Sequence, residues 1–230
     1  MNMNAAVDAV RSKGEVTRER ILDAAEQLFA ELAFEGTTLR EIAALVGIRE
    51  PSLYTHFAGK DAIYAAVIDR ALIPFSDLLQ DWNRSELTVK TLFDMPARLV
   101  QLHARHPYSA HILHREFTSP PARISPQVLQ WQQQFVAQSQ RFMEGLPDGV
   151  LTGDARSEET GPKKTGMERS RINKTQVVAN MITCTNLILG IFSTRGMQMQ
   201  LLGEDYDAEQ VLAEHLRLAN RIFKSLVMSN

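Results

Sequence analysis

Between positions 49 and 56 the chain places Arg49, Glu50, Ser52, Tyr54, Thr55 and His56 almost side by side. Their hydroxyls, phenol, imidazole and guanidinium suit phosphate oxygens and the edges of nucleic-acid bases, whereas a merely solvated helix face draws Lys and Glu. A second concentration of polar groups is "HARHPYSAHILH", residues 103–114. His103 and His106 are three apart, as are His111 and His114, a spacing that can turn two imidazoles toward one metal ion, with Cys184 or Glu116 to complete a set. However, Pro107 breaks the helix between the pairs, and no second cysteine or carboxylate cluster joins them. These histidines are therefore expected to line a polar pocket or a helix end, and no metal is expected.

Catalysis finds no foothold. There is no Gly-rich phosphate loop, no Gly-x-Ser-x-Gly elbow and no carboxylate pair in an apolar setting. The chain is expected not to be an enzyme and to need no cofactor. Its 230 residues can bury a core in one domain or two unequal ones, and 44% hydrophobic with 23% charged residues is ordinary for a soluble globular protein. A net charge of −2 gives no global attraction to nucleic acid, so any such contact must be local. Cys184 is the sole cysteine, which excludes an intrachain disulfide and fits a reducing compartment. The start, "MNMNAAVDAVRSKGEV", lacks the apolar core of a signal peptide, and the apolar run 187–192 is too short to cross a bilayer. A cytoplasmic protein with no membrane partner is expected.

The elements that must position these residues are helices throughout, an all-α fold. After a tail over 1–16, Thr17 can cap a helix with Ile21, Leu22, Ala25, Leu28, Phe29 and Leu32 at helical spacing, closed by Gly36. Further helical patterns span 61–73, stopped by Pro74, 88–104, and 108–118, ended by Ser119-Pro120-Pro121. Ser125-Pro126 starts another, carrying Val128, Leu129, Trp131, Phe135 and Phe142. Residues 148–171 are rich in Gly, Ser, Thr and mixed charge and predict a mobile loop. Asn173 with Gln176 predicts a capping box for a helix to 202 that is apolar around nearly its whole circumference. Gly203 ends it. Asp207 with Gln210 opens the last helix, with the stripe Val211, Leu212, His215, Leu216, Ala219, Ile222, Phe223 and Leu226. Two such terminal helices can pair in a core or with a second copy as a four-helix bundle.

Within "LREIAALVGIREPSLYTHFAGK", residues 39–60, the spacing is that of a helix-turn-helix. Ile42, Ala43 and Val46 point inward, and Ala43 is small where a second helix crosses. Gly47 sits where the turn needs a positive φ. Ile48 packs under the turn, Pro51 fits the first turn of the next helix, and Leu53 and Phe57 anchor that helix.

The run "TRERILDAAEQLFAELAFEGTTLREIAALVGIREPSLYTHFAGKDAIYAAVIDRAL", residues 17–72, resembles the N-terminal DNA-binding domain of the TetR family of transcriptional regulators. Ile21, Ala24, Ala25, Phe29, Gly36, Thr38, Ile42, Ala43, Gly47, Leu53, Tyr54, Phe57, Lys60 and Ile63 carry the match, which covers about the first third of the chain. The resemblance implies a helix-turn-helix domain over 17–62 and a larger helical regulatory and dimerisation domain over 63–230. It also implies a homodimer that represses a promoter at a near-palindromic double-stranded DNA operator until a small-molecule effector binds. Carried over by position, Thr38 meets a phosphate and Arg40 a guanine or phosphate. Glu50, Pro51, Ser52 and Thr55 lie in the major groove, beside Arg49. Tyr54 and His56 contact phosphate or base, and Lys60 reaches phosphate. Glu50 is acidic where a neutral or basic residue is commoner, which points to a cytosine amino group or to exclusion of wrong sequences.

Farther on, "LHREFTSPPAR" (113–123) and "NLILGIFSTRGMQMQLLG" (186–203) resemble one subgroup of TetR-type ligand domains linked to drug sensitivity. The candidate effector-binding residues are His103, His111, His114, Arg115, Trp131, Phe135, Asn180 and Cys184, for a largely apolar molecule. Arg115 and Glu116 have a structural alternative, pairing with each other or with the N-terminal domain. A DNA-bound structural or partner-docking protein without any ligand is the alternative function.

Overall fold

The structure is a computed structural model that describes residues 12–84, 89–145 and 174–228. The predicted loop over 148–171 and the Asn173–Gln176 capping box lie outside the described residues. Helices and turns make up the secondary structure, with no strand among the described residues. In chain order the helices are α1 (Lys13–Gly36), α2 (Leu39–Val46), α3 (Glu50–Leu53), α4 (Lys60–Arg84), α5 (Val89–Arg105), α6 (Pro107–Thr118), α7 (Pro126–Gly145), α8 (Lys174–Ser193), α9 (Arg195–Leu202) and α10 (Ala208–Met228). They fall into two compact units. The first comprises the chain through Ile73 with Tyr108–Val128, and the second comprises Pro74–Pro107 with everything from Leu129 onward.

In the first unit, α1 starts one turn earlier than Thr17. Ser12 is its cap: the Glu15 backbone N–H donates to Ser12 Oγ at 3.2 Å, and the Ser12 N–H donates to Glu15 Oε2 at 2.7 Å. Two orphan donors are thereby satisfied, a better cap than Thr17, whose hydroxyl instead donates to Lys13 O. The far end also differs. The helical path breaks at Ala33 (φ 64, ψ 174), before Gly36, whose φ is not positive. Two cations explain how the break is tolerated. Arg115 from α6 donates to the Phe29 and Ala30 carbonyls at 2.8 and 3.2 Å, and Lys60 from α4 donates to the Phe34 and Thr37 carbonyls at 2.7 and 2.9 Å. The turn also brings Phe34 back onto Phe29 and edge-on to Tyr64, with centroids 5.9 and 5.0 Å apart.

Ile21, Phe29, Ile42, Leu53, Ile63 and Ile68 are fully buried and form this unit's core, each contributing about 1.5–3 kcal/mol. Polar ties surround it. Arg70 pairs with Asp23 at 2.7 Å and with Glu26, Ser109 donates to Glu26 at 2.5 Å, and buried Glu116 accepts from Tyr64 Oη at 2.7 Å and from the Ser125 N–H at 2.8 Å. The Tyr64 phenol is pushed far up by burial and by the Glu116 carboxylate it serves.

The predicted stop at Pro74 does not occur. α4 runs through it to Arg84, as α5 runs through Pro96. A proline removes one backbone donor, and continuing the helix buries Phe75, whose burial offsets that loss. In the second unit α5 packs against α8 and α10, which pack on each other. Val100, Val136, Ile188, Leu189 and Ala219 are buried there. The helix expected to reach 202 unbroken is interrupted at Thr194 (ψ 8). There the Ser193 and Thr194 hydroxyls both donate to Gly190 O, a back-bonding that bends helices. Several of its apolar side chains are exposed: Ile182, Met197, Met199 and Leu201. No helix among the described residues is long and apolar enough to cross a membrane.

Candidate functional site

The helix-turn-helix is built from its caps inward. Thr38 opens α2 with a capping box: the Glu41 N–H donates to Thr38 Oγ1 at 3.2 Å, while the Thr38 N–H and hydroxyl donate to Glu41 Oε2 at 2.8 and 2.7 Å. These bonds hold the Glu41 carboxyl below the usual range, the Thr38 hydroxyl contributing most. Gly47 closes α2 at φ 79, ψ 33, a conformation that costs a Cβ-bearing residue about 1 kcal/mol or more. Its N–H and that of Ile48 both reach Ala43 O at 3.0 Å, so the turn leaves no orphan donor. Arg49 then caps α3 in extended conformation, with Pro51 in its first turn.

α3 is one helical turn continued by hydrogen-bonded turns, the His56 and Phe57 N–H groups both donating to Leu53 O at 2.9 Å. Leu53 and Phe57 are buried, 1% and 7% exposed. With these two anchors inward, Arg49, Glu50, Pro51, Ser52, Tyr54 and Thr55 are all exposed and His56 is half-buried. Tyr54, at 56%, is among the most exposed large side chains of the unit. Thr38 and Arg40 on α2 are exposed as well. The exposed side chains of α2 and α3 therefore offer hydroxyls, a phenol and guanidinium groups, with the α2 N-terminus contributing a positive dipole end.

Lys60 stands apart from this set. Its ammonium is half-buried over the Phe34 ring, 4.2 Å from the centroid, and donates to two carbonyls. It has an internal role beside the phosphate contact expected of it: it caps the turn between α1 and α2, joining the Thr37 N–H on Phe34 O and supplying a donor to Thr37 O. Two arginines missing from the sequence expectation do bear on the surface. Arg18 lies over the Phe57 ring at 4.6 Å, bringing an exposed cation to the end of α3, and Arg20 donates to Val46 O at 2.6 Å, capping α2. Both contacts span more than 25 positions in sequence, beyond any local pattern.

The candidate effector residues divide between the units. His111, His114 and Arg115 sit on α6 in the first unit. The Arg115 guanidinium is engaged by the α1 carbonyls, which corrects its assignment as a ligand anchor in favour of the structural alternative. His114 is half-buried, its imidazole pKa lowered by burial and by His111. In the second unit His103 is buried against Phe75, centroids 4.5 Å apart, with Phe192 at 5.8 Å on another side. Trp131 meets Phe75 edge-on at 6.3 Å and stacks on Phe135 at 5.4 Å. Burial holds His103 neutral, its pKa down to about 3, and pushes the half-buried Cys184 thiol up to about 11. The side chains of Asn180 and Phe142 lie outside those described. Among the described residues no three His, Cys, Asp or Glu side chains gather as a metal ion requires.

Comparison with known proteins bears on the N-terminal unit first. Residues 21–67 match the family described as "Bacterial regulatory proteins, tetR family". The biofilm operon negative transcriptional regulator IcaR of Staphylococcus epidermidis is 32% identical over 96 residues, 38% of this chain and 52% of that protein, so the match spans about half the relative's length. Two solved structures resemble the whole chain. A TetR-like transcriptional regulator from Rhodococcus is 17% identical with a TM-score of 0.62, covering 94% of this chain and 96% of that one. Transcriptional regulator FadR from Bacillus subtilis, solved with stearoyl-CoA, is 17% identical with a TM-score of 0.53, covering 92% and 98%. At such identities these two likenesses establish the fold. With the helix-turn-helix geometry, the match over residues 21–67 shows that the N-terminal domain matches the tetR family of bacterial regulatory proteins.

Proposed function

We propose that this chain is a ligand-responsive transcriptional repressor that works by binding rather than catalysis. As a homodimer in the cytoplasm it holds a near-palindromic operator and releases it when a small molecule occupies the second unit. The observation that carries this is the surface of α3: its two apolar anchors are buried while every neighbouring polar or planar side chain from Arg49 to Thr55 is exposed. Thr38 and Arg40 at the start of α2, with Arg18 beside Phe57, supply phosphate contacts around it. The negative sign of regulation is supported by IcaR, named as a negative regulator. Occupancy by a small molecule is supported by FadR, a structural neighbour that holds stearoyl-CoA.

Dimerisation is supported by the exposed apolar side chains of the C-terminal helices, Ile182 on α8, Leu201 on α9, and Leu218 and Ile222 on α10, which a second copy would cover. The functional domains are the helix-turn-helix over 17–62 and the regulatory part over 63–230.

Selection from a random duplex pool tests the proposal. A symmetric motif should emerge, with half-sites about one helical turn, or about 34–36 Å, apart. Its affinity should fall steeply with salt. Enrichment of no symmetric motif would refute the regulator. Ile222→Lys, at a position 39% exposed in the protomer, should leave the helices intact and give monomers with weakened operator affinity. A variant that still sediments as a dimer would remove α10 from the interface.

A further inference from the structure

The second unit contains polar atoms that its own fold leaves unanswered. His103 is the only polar residue among its described fully buried ones, 5% exposed, and its Nδ1 has no hydrogen-bond partner. The Trp131 indole N–H and Gln138 Oε1 are also buried without partners. A shared neighbour and helix register relate the three. His103 and Trp131 both pack on Phe75, and Trp131, Phe135 and Gln138 follow at i, i+4 and i+7 along one face of α7. Native folds rarely bury a donor and two potential acceptors unpaired, because each forfeits its bonds to water, so such a cluster signals a missing hydrogen-bonding partner.

The surroundings restrict that partner's chemistry. The neighbouring rings are aromatic: Phe75 and Phe192 beside His103, and Phe75 and Phe135 beside Trp131. Among the described fully buried residues of this unit there is no carboxylate, lysine or arginine. A cation or anion brought there would lose its hydration with no buried counter-charge to replace it. The imidazole adds no charge, since burial holds it neutral. Its Nδ1 accepts or donates according to tautomer, the indole donates only, and the Gln138 oxygen accepts only.

We propose that the effector of this unit is a neutral, planar aromatic molecule bearing a hydroxyl group, packed against Phe75, Trp131 and Phe192. The hydroxyl bonds to His103 Nδ1 and to the Trp131 indole N–H, which together use both its donor and its acceptor capacity. This rests on the second unit being the effector-binding part of a repressor. It narrows "largely apolar" to a class: unsubstituted hydrocarbons leave the His103 and Trp131 nitrogens orphaned, and charged aromatics lose hydration without compensation.

Calorimetric titration of the full chain with naphthol, naphthalene, naphthoate and naphthylmethylammonium tests the class. Naphthol should bind about tenfold tighter than naphthalene, the net effect of two buried hydrogen bonds, and both ions should bind more weakly than either. His103→Phe keeps an aromatic ring on Phe75 and should halve the preference for naphthol on a logarithmic scale, and combined with Trp131→Phe erase it, while retaining naphthalene affinity. Trp131→Phe should halve the preference on a logarithmic scale, and it identifies the indole N–H proton resonance that naphthol, not naphthalene, should displace in the unmodified chain. Tighter binding of either ion, a preference that survives both substitutions, or no naphthol binding at millimolar concentration would overturn the proposal. Operator release is measured separately. Naphthol that binds as described but leaves operator affinity unchanged retains the site and removes the ligand switch.

Discussion

Replacing Lys60 by alanine separates two roles that its position in the family pattern merges. In the structure its ammonium donates to the Phe34 and Thr37 carbonyls at 2.7 and 2.9 Å and lies over the Phe34 ring. Each charge-assisted bond contributes about 1.5 kcal/mol at this half-buried site, and the ring contact about 0.5–1 kcal/mol. Lys60→Ala should therefore destabilise the turn between α1 and α2 by about 3.5–4 kcal/mol. Amide hydrogen exchange is the appropriate assay, because it resolves the first unit without assuming that the whole chain unfolds in one step. Protected amides of α1 and α2 should exchange about 400–900-fold faster, a factor that follows from about 3.5–4 kcal/mol. Operator affinity should fall through this loosening, with the salt slope nearly unchanged, since the number of phosphates neutralised stays the same. Exchange within threefold of the parent, together with a slope reduced by about one, would make Lys60 a phosphate contact and refute the assignment.

Ala33→Gly should stabilise the first unit by about 1 kcal/mol. A φ of 64 with ψ 174 costs alanine about 1–3 kcal/mol, and the unfolded-state entropy of glycine takes back about 1; an unchanged or lower exchange protection in α1 would contradict the strain. Tyr54→Phe should leave stability within about 0.5 kcal/mol, as expected at 56% exposure, while costing about 1–2 kcal/mol of operator binding per half-site. A large stability loss with intact affinity would place Tyr54 in the core. His103 gives a pH signature of defined sign. Its folded pKa lies near 3, below the ordinary 6.5, so the unfolded chain binds the extra proton. The stability of the second unit is then fully present above about pH 6.5 and declines by up to about 1.4 kcal/mol per unit between there and pH 3. Thermal melts of His103→Phe followed by tryptophan fluorescence should lack this component, and an identical pH dependence in both proteins would exclude it.

Much of the first unit was legible in the order of residues because its information is local. Gly47 at a position of positive φ, Pro51 in a first helical turn, and Leu53 with Phe57 four apart each express a constraint acting within one or two turns of helix, and the structure realises all of them. The exposed set from Arg49 to Thr55 followed from that geometry by subtraction. The second unit offered fewer such constraints. Its helices are apolar on several sides, so periodicity marks where they run without saying which face meets which neighbour, and Pro74 reads as a stop although buried packing carries α4 through it.

What the tertiary structure alone decided is the assignment of long side chains. Lysine and arginine can serve a phosphate or an orphan carbonyl equally well, and the choice depends on groups distant in the chain. Lys60 finds Phe34 O 26 residues away, and Arg115 finds Phe29 O 86 residues away. Neither carbonyl would be available had α1 continued regularly past Ala33. The helix-turn-helix and its exposed face were thus written locally in the sequence. Which cations face outward, which ones close the end of α1, and which histidine is buried against Phe75 were settled only by folding, because each depends on a backbone break or a packing neighbour that no local pattern encodes.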